Sequence, residues 1–473
     1  MVFASAIFIF LFLPMTMFFY WIIPKRFKNS CLFIASIIFY SWGGIIYTAL
    51  VLFSITVNYF LGRRINNCGT KKRYYLIISV IFNLGILGFF KYCNFICDNI
   101  SFLISLLVPN FCIDIPQIPL PIGISFFTFQ IMSYIIDLYR GDIKVQNNIV
   151  NLGLYIMLFP QLIAGPIVRY IDIEKEITER KITVDSMVYG TKRFIIGLAK
   201  KVLIANAMGK WADAAFGLHS SILSTPMAWL GILGYTMQIY FDFSAYSDMA
   251  IGLGKVWGFN FLENFNYPYI ACSMQDFWRR WHMSLTNWFR DYLYIPLGGN
   301  RKGKKRTYIN NFIIFFCTGL WHGAAWNFII WGLFHGMFLI IEKAGVNKII
   351  KNLPTIIQHF YTLIIVCIGW VFFRANNLTH SFEYIKRMFI WNINGNIRFW
   401  YQLENWNILI GIIAIILCAP VFPVLCSKIK KKVGSSYSLF FCCISNICYL
   451  TLYGLSVCFI AGSSFNPFIY FRF

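Results

Sequence analysis

Residues 308–341 read YINNFIIFFCTGLWHGAAWNFIIWGLFHGMFLII, a run without a single Asp, Glu, Lys or Arg. A helix needs roughly 20 apolar residues to cross a hydrocarbon layer about 30 Å thick, and long uncharged runs recur along the whole chain. Membrane β-strands would instead alternate polar and apolar residues over about ten positions. With 59% hydrophobic, 19% aromatic and only 12% charged residues, the chain reads as an all-α, polytopic integral membrane protein. His322 stands in the middle of the quoted run, where hydrocarbon offers its ring nitrogens no water. The expectation is a catalytic base at membrane depth; the competing reading is a histidine bonded to a neighbouring helix.

The net charge of +23 sits in short basic clusters between apolar runs, at residues 25–28, 63–73, 301–306 and 428–432. That is the positive-inside pattern, so lipid headgroups rather than nucleic acid are the expected neighbours. The fourteen cysteines are scattered singly apart from Cys442-Cys443, with no zinc-like CxxC spacing, and read as small buried residues. Met1-Val2-Phe3 brings no basic region, which makes the first apolar stretch a retained span rather than a removable signal.

Charge and breaks place the spans. The first, 2–23, ends at a basic cluster and so leaves the N-terminus outside. The run 31–61 is too long for one crossing and is broken at Gly43-Gly44, which predicts a helical hairpin. A span at 74–90 is followed by a proline-rich external segment, then 123–138, then 152–168, interrupted by Pro160, Gly165 and Pro166. Such a break is tolerated only inside protein or beside a water-filled cavity, so a re-entrant segment is expected there. Residues 187–208 read as amphipathic and surface-lying, and 229–246 as a span. Residues 264–306 are too charged to span and read as a cytoplasmic re-entrant cap of short helices with interfacial Trp and Arg. Spans at 356–373, 408–425 and 437–460 bring the total to about eleven transmembrane or re-entrant helices in one membrane domain, 1–473, with an external C-terminus.

Among the six histidines, His219, His359 and His380 fall in loops or near span ends, where polar side chains are unremarkable. His335 lies thirteen residues beyond His322; at about 100° per residue it points to another face, as packing or as a supporting partner. His282 belongs to Phe277-Trp278-Arg279-Arg280-Trp281-His282-Met283-Ser284-Leu285, and composition leaves open whether this is an interfacial belt or a site. A phosphate-binding glycine loop, an HExxH metal pair and a GxSxG elbow are all missing from the sequence, so no metal site is expected. Asp242 and Asp248, six residues apart, suit hydrogen bonds within the bundle better than paired-carboxylate catalysis.

These motifs together resemble the membrane-bound O-acyltransferases, in particular the bacterial branch that acylates cell-envelope polymers. The likeness runs through Met1-Val2-Phe3 with Ile22 and Pro24, Ser125-Phe126-Phe127-Thr128-Phe129-Gln130 with Tyr134 and Asp137, and Phe159-Pro160-Gln161 to Gly165-Pro166-Ile167. It continues through Tyr240-Phe241-Asp242-Phe243-Ser244 with Tyr246-Ser247-Asp248, then Phe277 to Leu285, Arg290 to Pro296 and Trp321-His322-Gly323.

The resemblance implies helices around a central tunnel, His322 as the catalytic histidine and His282 as an important second one. Trp321, Arg290, Asp291 and Gln130 are the implied substrate contacts. The ending Asn466-Pro467-Phe468-Ile469-Tyr470-Phe471-Arg472-Phe473 resembles a motif, spanning 464–473, whose tyrosine carries the acyl group; an aromatic interfacial anchor is the plain alternative. No bound cofactor is implied, only acetyl-CoA or another acyl thioester as donor. An extracytoplasmic acyltransferase partner, a polysaccharide acceptor and the bacterial cytoplasmic membrane complete the expectation. A transporter or flippase, or a scaffold without catalysis, is the competing class.

Overall fold

The computed structural model describes residues 1–108, 111–113, 116–163, 165–393, 396–433 and 438–462. Among these residues helix follows helix and no strand occurs. The contacts gather into two compact units, residues 1–190 with 253–262, and residues 191–252 with the described residues from 263 onward.

The first unit is built from α1 (Leu13–Ile22), α2 (Lys28–Ser41), α3 (Ile45–Asn67), α4 (Lys72–Ser105), α5 (Ile124–Arg140), α6 (Ile149–Met157), α7 (Phe159–Leu162) and α8 (Tyr170–Thr178). The stretch 31–61 is the hairpin its length demanded. α2 stops at Ser41, and α3 restarts after Gly44, whose φ of +142° suits glycine alone. α4 runs to Ser105, well past the expected end near Phe90, because Lys91 does not break it: the buried ammonium donates to Ser125 Oγ on α5 at 3.2 Å. Asn58 of α3 and Asn83 of α4 exchange side-chain hydrogen bonds at 3.1 and 2.9 Å, and Ser79 Oγ donates to Asn58 Oδ1 at 2.6 Å. Satisfied polar groups of this kind join helices where apolar burial gives no preference between protein and lipid. The interrupted stretch 152–168 folds as the end of α6, a bend at Leu158 and the single turn of α7, with residues 152–163 and 165–168 buried. Its irregular backbone is thus enclosed by protein, as membrane depth requires.

α9 (Val184–Ala199) leads into the second unit and continues through a π-turn, Lys200–Ala205, into α10 (Asn206–Phe216) and α11 (Thr225–Val256). Then come α12 (Met274–Arg280), α13 (Met283–Phe289), α14 (Gly303–His322), α15 (Trp326–Ile341), α16 (Asn347–Lys351), α17 (Thr355–Arg374), α18 (Leu378–Phe389), α19 (Asn396–Tyr401), α20 (Asn405–Leu417), α21 (Val421–Val433) and α22 (Ser438–Gly462). Among the described residues five helices are long and apolar enough to cross a membrane: α3, α4, Trp326–Lys351, α17 and Cys442–Gly462. A sixth arises if α20 and Val421–Ile429, bent by 66°, form one broken span. The expected total of about eleven also counted shorter pieces, among them the apolar helix Phe8–Ile22.

Three expectations need correction. The run 308–341 is not one helix: it breaks at Gly323, and α14 and α15 fold back against each other. Small residues make that return possible. A Cβ on Gly332 would overlap the Phe315 carbonyl, and one on Gly319 would lie 2.6 Å from the Phe328 carbonyl. The aromatic residues of 264–306 are not an interfacial belt, because Phe277, Trp278, Trp281 and Trp288 are buried in the second unit. Residues 187–208 do not simply lie on a surface: a Cβ on Gly197 would press on the Ala245 carbonyl of α11 at 2.6 Å.

Gly332→Ala is therefore expected to destabilise the protein by roughly 1–3 kcal/mol, visible as a lower unfolding temperature in detergent. Gly88→Ala in α4, where an added Cβ meets nothing within 4 Å, is the matched control and should be neutral or stabilising.

Candidate active site

His322 is the last residue of α14. The helix ends there because Gly323 turns to extended backbone, φ −165° and ψ 154°, with the Phe328 ring lying where any larger side chain would put its Cβ. Three rings meet the imidazole edge-on, with centroids at 4.9 Å for Trp321, 4.8 Å for Trp331 and 5.1 Å for Phe373. The residue is only 5% exposed.

His282 precedes α13 and adopts left-handed backbone, φ 43° and ψ 53°, an uncommon conformation for a residue with a side chain. It is buried, packed edge-on to Phe243 of α11 at 4.6 Å, and 5.9 Å from Trp321. The open choice between belt and site thus falls on the interior side. The two histidines touch the same indole, that of Trp321.

Asn264 fixes the turn on which His282 sits. Its backbone carbonyl accepts the Met283 N–H at 2.9 Å, and its Oδ1 accepts from Ser284 N at 3.2 Å and Ser284 Oγ at 2.9 Å. Glu342, at the end of α15, holds the same segment from its other side by accepting the N–H groups of Met274 and Gln275 at 2.7 and 3.1 Å. These two N–H groups open α12 and lack partners within the helix.

The sequence reading put His335 on a different face from His322, assuming one continuous helix. The break at Gly323 removes that assumption, and both rings pack on Trp331, His335 at 5.1 Å. Arg290 and Asp291 pair with each other at 2.7 Å, the arginine exposed and the aspartate half-buried. Gln130 is buried in α5 of the first unit, where its backbone carbonyl accepts the Tyr155 hydroxyl at 3.0 Å. Tyr470, with the rest of 464–473, lies outside the described residues.

Asn264, Trp331, Glu342 and Lys201 escaped the sequence reading. Lys201 Nζ lies 2.7 Å from Asp242 in a buried ion pair, and Asp248 takes Lys200 at 2.6 Å and Arg193 at 2.9 Å. The one available signal was Lys200-Lys201 set inside an apolar run. Among the described residues no cluster of three or more His, Cys, Asp or Glu side chains could hold a metal ion.

Residues 125–381 match the family model of the membrane-bound O-acyltransferases. The chain is 46% identical over 397 residues to the Pseudomonas aeruginosa protein named "Probable alginate O-acetylase AlgI", covering 82% of this chain and 75% of that one. It is 39% identical to its Azotobacter vinelandii namesake over the full length of both. Identity to a peptidoglycan O-acetyltransferase of Helicobacter pylori is 36%, across 82% of this chain and 80% of the relative. The chain thus belongs to the membrane-bound O-acyltransferase family, and is a multi-pass membrane enzyme that transfers acyl groups to hydroxyls.

Proposed function

We propose that the enzyme sits in the bacterial cytoplasmic membrane and moves an acetyl group from acetyl-CoA on the cytoplasmic side toward a cell-envelope polysaccharide outside. The observation that carries the reading is the pair of buried histidines on one indole, joined to relatives named for alginate and peptidoglycan acetylation. His322 takes the proton of an attacking hydroxyl while its oxygen adds to the thioester carbonyl. The tetrahedral adduct collapses, the carbon–sulfur bond breaks, and the leaving thiolate recovers that proton from the imidazolium. A water-poor, aromatic-walled site protects thioester and ester from hydrolysis.

His282 is the second site histidine, and Trp321, Arg290 and Asp291 contact substrate. The segment 264–306 faces the cytoplasm and both termini face outward. Tyr470 supplies the attacking hydroxyl and passes the acyl group to an extracytoplasmic acyltransferase partner or to the polymer itself.

The test is ester-bound acetate on envelope polymers of a host lacking its own copy, complemented with this chain or with Tyr470→Phe. Complementation should restore the ester, and Tyr470→Phe at equal abundance should not. Ester restored by Tyr470→Phe would remove the relay; ester absent from both would remove the function.

A further inference from the structure

The turn that carries His282 determines which of its nitrogens bears the proton. Asn264 presents one side-chain atom to the Ser284 backbone N–H at 3.2 Å. A backbone N–H only donates, so that atom must be the carbonyl oxygen Oδ1, and the amide nitrogen is correspondingly turned to Ser247 Oγ at 3.1 Å. His282 Nδ1 lies 3.2 Å from the same oxygen. Two acceptors cannot share that contact, so Nδ1 carries the hydrogen and donates. Ser284 Oγ stands 3.5 Å from Nδ1 but gives its proton to Asn264 Oδ1 at 2.9 Å. In a neutral ring the lone pair is then on Nε2, which is fully buried and has no hydrogen-bond partner among the described residues.

We propose that Asn264 is a positioning residue that locks His282 in the Nδ1–H tautomer, so that Nε2 presents a buried lone pair as a hydrogen-bond acceptor in the site where His322 takes the hydroxyl proton. This rests on the acyltransfer reading above and adds to it that the second histidine offers an acceptor, and no donor, at Nε2. The logic is that of any imidazole whose far nitrogen is fixed by a fixed acceptor. The surroundings suit it. The groups facing the ring are Phe243 of α11, Phe265, Trp321 of α14, Asn264 and Ser284, none of which titrates near neutrality. His322, on the same Trp321 indole, is the neighbouring titratable group.

Thiol release from acetyl-CoA by membranes of the complemented host, followed against pH, tests the assignment with the full-length chain. Asn264→Ala should lower kcat by roughly tenfold or more and leave KM for acetyl-CoA near its original value. Asn264→Asp keeps an oxygen for Ser284 and so keeps the turn, but places an anion beside Nδ1 that favours imidazolium. Its acid limb should move to higher pH, with wild-type rates recovered on the alkaline side. An unshifted profile in Asn264→Asp together with an undiminished kcat in Asn264→Ala would overturn the proposal. His322→Ala measured alongside separates the two layers: if it too releases thiol at the wild-type rate, the acyltransfer reading itself has failed.

Discussion

Cells carrying His322→Ala at wild-type abundance are expected to lose polymer-bound acetyl ester, with initial rates down by roughly 10²–10⁴, the range a positioned general base contributes. The variant should stay folded, because the helix-ending geometry belongs to Gly323, with a lower unfolding temperature from the cavity left among Trp321, Trp331 and Phe373. Unfolding temperature in detergent, measured on the same preparation, separates lost chemistry from lost protein. His322→Gln, polar but unable to act as a base near neutral pH, should fail to the same extent. Retained ester in both variants would sink the catalytic assignment and leave the chain as a scaffold for a partner's chemistry.

Much of this site was legible in the sequence because it is written locally. An uncharged run with one histidine, bounded by glycines and alanines, marks a buried imidazole whatever the tertiary arrangement. The hairpin at Gly43-Gly44 and the broken stretch around Pro160 were legible for the same reason, since length and backbone chemistry alone require a turn. What sequence reading missed depends on contacts distant along the chain. Asn264 lies 18 residues from His282, and Lys201 pairs with Asp242 from another helix. The faces of His322 and His335 were misjudged because a helical period was carried across Gly323, where the helix stops. The indoles around 278–288 look like an interfacial belt in composition, and only packing distinguishes a belt from a core.

Asp242→Leu should be among the most damaging single changes outside the two histidines. Lys201 and Asp242 are 5% and 2% exposed at the side chain and lie 2.7 Å apart, so removing the carboxylate leaves a buried ammonium without its counter-charge, a change that costs roughly 3–5 kcal/mol. The double variant Lys201→Met with Asp242→Leu removes both charges, and thermal stability should return to near the wild-type value, since apolar replacement of a buried pair is often neutral or better. The pair also lies next in sequence to a ring that packs on the site. The π-turn at Lys200–Ala205 brings successive lysines to Asp248 and Asp242 of α11, and wide turns of this kind often mark functional positions. The residue after Asp242 is Phe243, whose ring packs against His282 at 4.6 Å. Ester formation in the double variant therefore carries the information. If stability and ester both recover, the pair is a fold contact that two apolar side chains can replace. If stability recovers and ester does not, the charges hold α11 in the register that seats Phe243 against His282.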